Sequence, residues 1–266
     1  MTFYPDGDLY PAGFATSTLV VPSVSLANLP QLCVDLLITS LGLKRVGWIG
    51  KGDTVAPFAG RGEQGEVVTG GLEVYGSAEQ GLYVIQQRSP TLKSKKDEHV
   101  ELLRSFAEDS KFGFVLVLTS LDAANQDDAQ LLAPHQHIAP PSTPAPSDVL
   151  DRLRSFPALS LSLASDRPPT SDPQRSTAQY PPFLPSAGLT RRLLAALQTT
   201  STPHGCLTVW CAEGDNREDA YALTARVLYL LDNRPEQIKE PRSWKGLFGV
   251  ADGWSGGHGA DSEIYG

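Results

Sequence analysis

The chain has 266 residues, enough for one large domain or two small ones and ample for a buried core. Its 22 Lys and Arg against 30 Asp and Glu give a net charge of -8 and an isoelectric point near 5.1, which argues against a broad nucleic-acid-binding face. No apolar run approaches the roughly 20 residues that cross a bilayer. The first basic residue is Lys44, so neither a membrane span nor a targeting leader is expected, and the reading is a cytoplasmic or nuclear protein.

In chain order, 19–24 is a short apolar run with Pro22 inside, as in a buried or edge strand. A helix follows: Leu29, Leu32, Cys33, Leu36, Leu37 and Leu41 share one helical face, with Asn28 and Pro30 at the start and Gly42 at the stop. Stretches 46–49, 72–75, 82–86 and 114–119 read as further strands. Between the last two, 94–109 reads as a helix, opened by Ser94 and Asp97 in the manner of a capping box. Later, 189–197 is predicted as a helix, 207–211 as a strand, and 217–231 as a helix capped by Asp215 with Glu218 three residues on.

Strands alternating with helices predict an α/β fold, a three-layer sandwich with one central sheet covered by helices on both faces. Of the 21 prolines, 12 lie between Pro134 and Pro185, so 134–186 reads as a Pro/Ser-rich insertion, a surface loop or disordered linker holding at most a turn or two of helix at 149–156. The expected organisation is a single domain over 1–249 and a flexible C-terminal tail over 250–266. Cys33, Cys206 and Cys211 show no CxxC spacing and sit in apolar stretches, as reduced core thiols do.

Several motifs suggest catalysis but lack the setting it requires. The run Gly60-Arg61-Gly62-Glu63-Gln64-Gly65 matches GxGxxG, yet a dinucleotide site needs a strand before it and a helix after it, and 66–75 reads as β structure. A nucleoside- or phosphate-binding enzyme built on this loop is the alternative reading. Gly50-Lys51 is followed by Gly52, so the P-loop pattern fails. Gly253-Trp254-Ser255-Gly256-Gly257 satisfies GxSxG in a Gly-rich end with no following acid and histidine in triad order. His135 and His137 fall in the Pro-rich stretch and read as solvated loop residues rather than metal ligands. Glu213 and Asp215 could form a carboxylate pair, but a helix-cap role suffices for Asp215. No catalytic residue, cofactor or metal is expected.

The stretch from Leu19, Val20, Val21, Pro22, Ser23, Val24 and Ser25 through Asn28, Gln31, Leu32 and Asp35-Leu36-Leu37-Ile38 resembles the opening strand, loop and helix of the proteasome assembly chaperone 2 family. Glu213-Gly214-Asp215-Asn216 with Asp219-Ala220 is similar to that family's second landmark, and Ser243-Trp244-Lys245-Gly246-Leu247-Phe248-Gly249 to its third. The resemblance covers roughly 13–120 and 190–249 in order. It implies an α/β sandwich without catalysis that pairs with proteasome assembly chaperone 1. The pair would bind the outer face of the ring of proteasome α subunits, favour correct ring assembly and block premature docking of regulators.

Ile264-Tyr265-Gly266 fits the hydrophobic-Tyr-any tail pattern that proteasome activators and assembly chaperones insert between α subunits. Tyr265 would be the rigid amphipathic anchor, Ile264 would fill an apolar slot and the Gly266 carboxylate would meet a pocket lysine. Burying the ring gives roughly 1.5 to 3 kcal/mol and a charge-assisted bond a similar amount. The tail alone should then bind only at about 0.1 to 10 mM. A Gly/Ser-rich tether of roughly 20 Å reach would deliver it at an effective concentration on the order of millimolar once the body docks.

Overall fold

Leu29, Cys33, Leu36 and Leu37 turn one side of a helix, α1 (Leu29–Leu41), into the interior, and Gly42 stops it at φ +62, a left-handed turn that costs glycine little. The computed structural model describes residues 2–6, 13–61, 67–69, 71–143, 145–161 and 180–245. The strands are β1 (Phe3–Pro5), β2 (Thr18–Pro22), β3 (Lys44–Ile49), β4 (Ala59–Arg61), β5 (Val67–Thr69), β6 (Leu72–Ser77), β7 (Leu82–Gln87), β8 (Phe114–Asp122), β9 (His135–Ile138) and β10 (His204–Cys211). The other helices are α2 (Lys96–Asp109), α3 (Asp128–Leu131), α4 (Asp148–Leu153), α5 (Gly188–Leu197) and α6 (Arg217–Leu230).

Among the described residues, eight strands form one mixed sheet in the order β1-β3-β6-β7-β2-β8-β10-β9. The centre is parallel: β2 pairs with β7 and β8, and β10 with β8. Its strands are buried on both sides and read as near-continuous apolar runs for that reason. The carboxyl ends of β7, β2, β8 and β10 therefore share one rim. One face of the sheet packs on α1, α4 and α6, the other on α2 and α5, which gives the three-layer α/β sandwich.

The Pro-rich stretch departs from expectation. Over 134–161 it is built into the fold: β9 pairs antiparallel with β10, and Leu150 and Leu153 of α4 are buried in the core. Arg152 Nε donates to the Leu230 carbonyl at 2.7 Å and so satisfies an open group in the last turn of α6. Residues 162–179, the middle of that stretch, lie outside the described residues. The Ser94 capping box is not formed either. Ser94 belongs to a 3-10 turn (Lys93–Lys95) that precedes α2, and Asp97 instead pairs with Arg192 of α5.

Candidate functional site

On the α1 side of the sheet, alternation along the strands turns Trp48 of β3, Glu73 of β6 and Gln86 of β7 into one cross-strand row. Glu73 is fully buried, and two guanidiniums make that possible: Arg45 Nη1 lies 3.2 Å from Oε1 and Arg88 Nε 3.5 Å from Oε2. Tyr75 Oη donates to Glu73 Oε2 at 3.3 Å. The ladder continues both ways, from Arg45 to Asp6 at 2.9 Å and from Arg88 to Asp35 of α1 at 3.3 Å. Arg45 also stacks over Trp48, 4.8 Å from the ring centre. Burial pushes the Glu73 and Asp35 carboxyls above the usual range, partly offset by Arg88 beside both.

Asp35 is where the ladder meets the end of the described chain. Its Oδ1 accepts from the Gln86 amide, and its Oδ2 accepts from Trp244 Nε1 at 3.3 Å. Trp244 is 5% exposed and closes a strap over 232–245 that runs back along α1. Asn233 N–H bonds the Leu228 carbonyl at 3.0 Å, Lys239 N–H bonds Ser40 Oγ at 2.8 Å, and Ile238 packs on the core. The site is thus a network of paired charges that holds Trp244, near the end of the described chain, against α1.

Ile264, Tyr265 and Gly266, the residues expected to bind the partner, lie outside the described residues, as do the whole GxSxG run and Gly62 to Gly65. Gly60 and Arg61 belong to β4, which pairs with β5, so a strand follows the GxGxxG run where a dinucleotide site needs a helix. His135 and His137 are strand residues, not loop residues: His137 Nδ1 bonds the Phe156 carbonyl at 2.8 Å, and burial with Arg226 nearby pushes His135 down to about 4. Glu213 is exposed, and Asp215 binds the backbone N–H of Arg217 at 3.2 Å and its guanidinium at 2.6 Å. Asn216 occupies the cap position without a side-chain cap bond, and Asp215 satisfies the open N–H of Arg217, the first residue of α6, as expected. The three cysteines are free and buried, and burial pushes Cys33 to about 12 and Cys211 to about 11, which keeps both thiols protonated. Among the described residues, no three His, Cys, Asp or Glu side chains group as a metal site, and no helix is long and apolar enough to cross a membrane.

The ladder was not legible in advance, since its members come from β3, β6, the end of β7 and α1. Asp35 lies in the first landmark and Trp244 in the third, and the structure joins them.

An α/β sandwich of this topology is shared with the crystal structure of Pyrococcus furiosus PbaA, an archaeal homolog of proteasome-assembly chaperone: TM-score 0.60, 11% identity, 84% of each chain covered. At that identity the likeness shows a common fold. The sequence goes further, because the model of the PAC2 family matches residues 19–227, and the chain belongs to that family. Among its relatives are proteasome assembly chaperone 2 of Danio rerio, 31% identical over 260 residues with 93% of this chain and 96% of the relative covered. The human protein of that name is 28% identical over 267 residues, covering 93% and 97%.

Proposed function

We propose that the chain is a proteasome core-particle assembly chaperone that works as one half of a heterodimer with proteasome assembly chaperone 1. In this reading the pair binds the outer face of the α-subunit ring in the cytoplasm or nucleus, without catalysis or cofactor. Ile264, Tyr265 and Gly266 enter a pocket between α subunits, which favours correct ring assembly and excludes regulators that need the same pocket.

The observation that carries the reading is the contact between Asp35 and Trp244, because it ties the C-terminal segment to the body at a defined point. A weak tail binds usefully only when it starts from a fixed place near its pocket, where its effective concentration is set by the chain that follows. Family membership over 19–227 supports the same assignment.

Deletion of Ile264 to Gly266 tests it. Capture of purified α subunits by the co-expressed heterodimer should weaken at least tenfold while the heterodimer stays intact by size-exclusion chromatography. Unchanged capture would remove the tail from the mechanism.

A further inference from the structure

Leu131 and Leu132 are 62% and 90% exposed, two neighbouring leucines that a folded body would ordinarily cover. They are not the end of a loose loop. Asp127 and Gln130 form a reciprocal capping box: the Asp127 carboxylate accepts from Gln130 N–H, and the Gln130 side chain accepts from Asp127 N–H, both at 3.0 Å. Gln130 is itself buried, and its amide donates to the Ser160 carbonyl. Two residues beyond Leu132, the Pro134 carbonyl accepts from Trp210 N–H at 3.1 Å and the chain enters β9. The pair is thus held out as a rigid knob at the rim where β10 ends.

The charge around the knob says what it fits. Asp122, Asp127 and Asp128 lead up to it, and Glu213 and Asp219 come from the turn after β10 and the start of α6. Cys211, last residue of β10, stands directly opposite Asp122, so the turn to α6 leaves the sheet beside the end of β8 and brings the two groups of carboxylates to one rim. Arg217 is bound to Asp215, and Arg226 lies near His135 at the start of β9, so the carboxylates in excess are Asp122, Asp127, Asp128, Glu213 and Asp219. An acidic collar around an apolar knob complements a protein surface with an apolar slot edged by Lys or Arg.

The same rim carries the root of the C-terminal segment. Trp244 meets Asp35 beside Arg88, just past the end of β7, and β7 stands three strand spacings from β10, about 14 Å. We infer that Leu131 and Leu132, with the carboxylates on their rim, form the body's own docking surface for a basic, slotted face of the α-subunit ring. This rests on the function proposed above, and its test is chosen to fail separately from it.

Purified α-subunit rings serve as the probe for the full chain paired with proteasome assembly chaperone 1. Leu131→Ser with Leu132→Ser should weaken ring binding about tenfold or more, leave the melting temperature within about one degree, and leave the heterodimer intact. Leu132→Ser alone, at the more exposed position, guards against a folding defect and should cost several-fold. Asp128→Lys with Glu213→Lys should slow association at low salt, with the effect gone near 0.5 M salt. Wild-type ring binding by both leucine variants would overturn the inference, as would loss of the chaperone partner instead of the ring. If deleting Ile264 to Gly266 leaves capture unchanged while the leucine variants lose it, the tail reading fails and the knob stands; the reverse sinks the knob alone.

Discussion

Strands β1, β3, β6 and β7 present two unlike faces. On the α2 side, Phe3, Phe14, Tyr83, Phe106 and Phe112 pack ring on ring with centroids 4.7 to 5.9 Å apart. On the α1 side, the same strands bury Glu73 between the half-buried Arg45 and Arg88, the latter paired with Asp35. Aromatic burial is non-directional and contributes stability in proportion to the area removed from water. Buried ion pairs spend most of their attraction on desolvation, so the ladder is expected to fix position, above all that of Trp244, more than to add stability.

The largest effect should come from the aromatic face. Phe106→Ala removes a ring that is fully buried and touches Phe3, Phe14 and Phe112, and should lower unfolding free energy by about 4 kcal/mol in a denaturant titration. Glu73→Ala comes next, at about 3 kcal/mol, because it leaves Arg45 and Arg88 facing each other without their shared carboxylate. A loss under 1 kcal/mol would mean the ladder is open to solvent and the contrast between the faces is false.

Part of the acid sensitivity should come from the aromatic side. His99 of α2 is buried with its Nδ1 3.1 Å from Thr54 Oγ1, and burial lowers it from 6.5 to about 4. The unfolded chain then binds more protons than the folded one between those values, so the stability His99 contributes is full above pH 6.5 and lost as pH falls toward 4. Between pH 7 and 5 His99 alone should cost about 2 kcal/mol, and His99→Gln should remove that share of the slope while His135, also lowered to about 4, keeps its own. An unchanged slope would assign the acid sensitivity elsewhere. The smallest stability change is expected where the whole set of charges goes together: Arg45→Met, Glu73→Leu, Arg88→Met and Asp35→Asn should keep stability within about 1 kcal/mol of the parent. Trp244 should nonetheless loosen, read as a red shift and easier quenching of its fluorescence. A tight Trp244 in that variant would take the positioning role away from the ladder.

The periodic apolar helices and the buried strands were legible because their spacing is local: α1 and β8 need only neighbours in the chain to be recognised. β9 was hidden by prolines on both sides and by a polar residue at an inward position. Gln136 is buried there only because Trp210 Nε1 bonds its Oε1 at 2.9 Å, and Trp210 stands 74 residues away. Glu73 did not hide its strand, but its burial was not legible, since a carboxylate there is tolerable only with Arg45 of β3 and Arg88 past the end of β7. Ser94 matched a capping pattern, but the chain spends those residues on a 3-10 turn, and Asp97 finds Arg192 from α5. Local patterns report elements; ion pairs between distant segments do not show until the fold brings them together.

The central claim is that a body locked at Asp35 and Trp244 delivers Tyr265 to a crevice in a ring of α subunits. A photo-crosslinking residue placed at position 265, in the full chain paired with proteasome assembly chaperone 1 and bound to α-subunit rings, tests it most directly. The account predicts crosslinks to the two α subunits that border one pocket, abolished by competitor peptide ending in Ile-Tyr-Gly. Rings held at full occupancy with no crosslink from position 265 to any α subunit would contradict it.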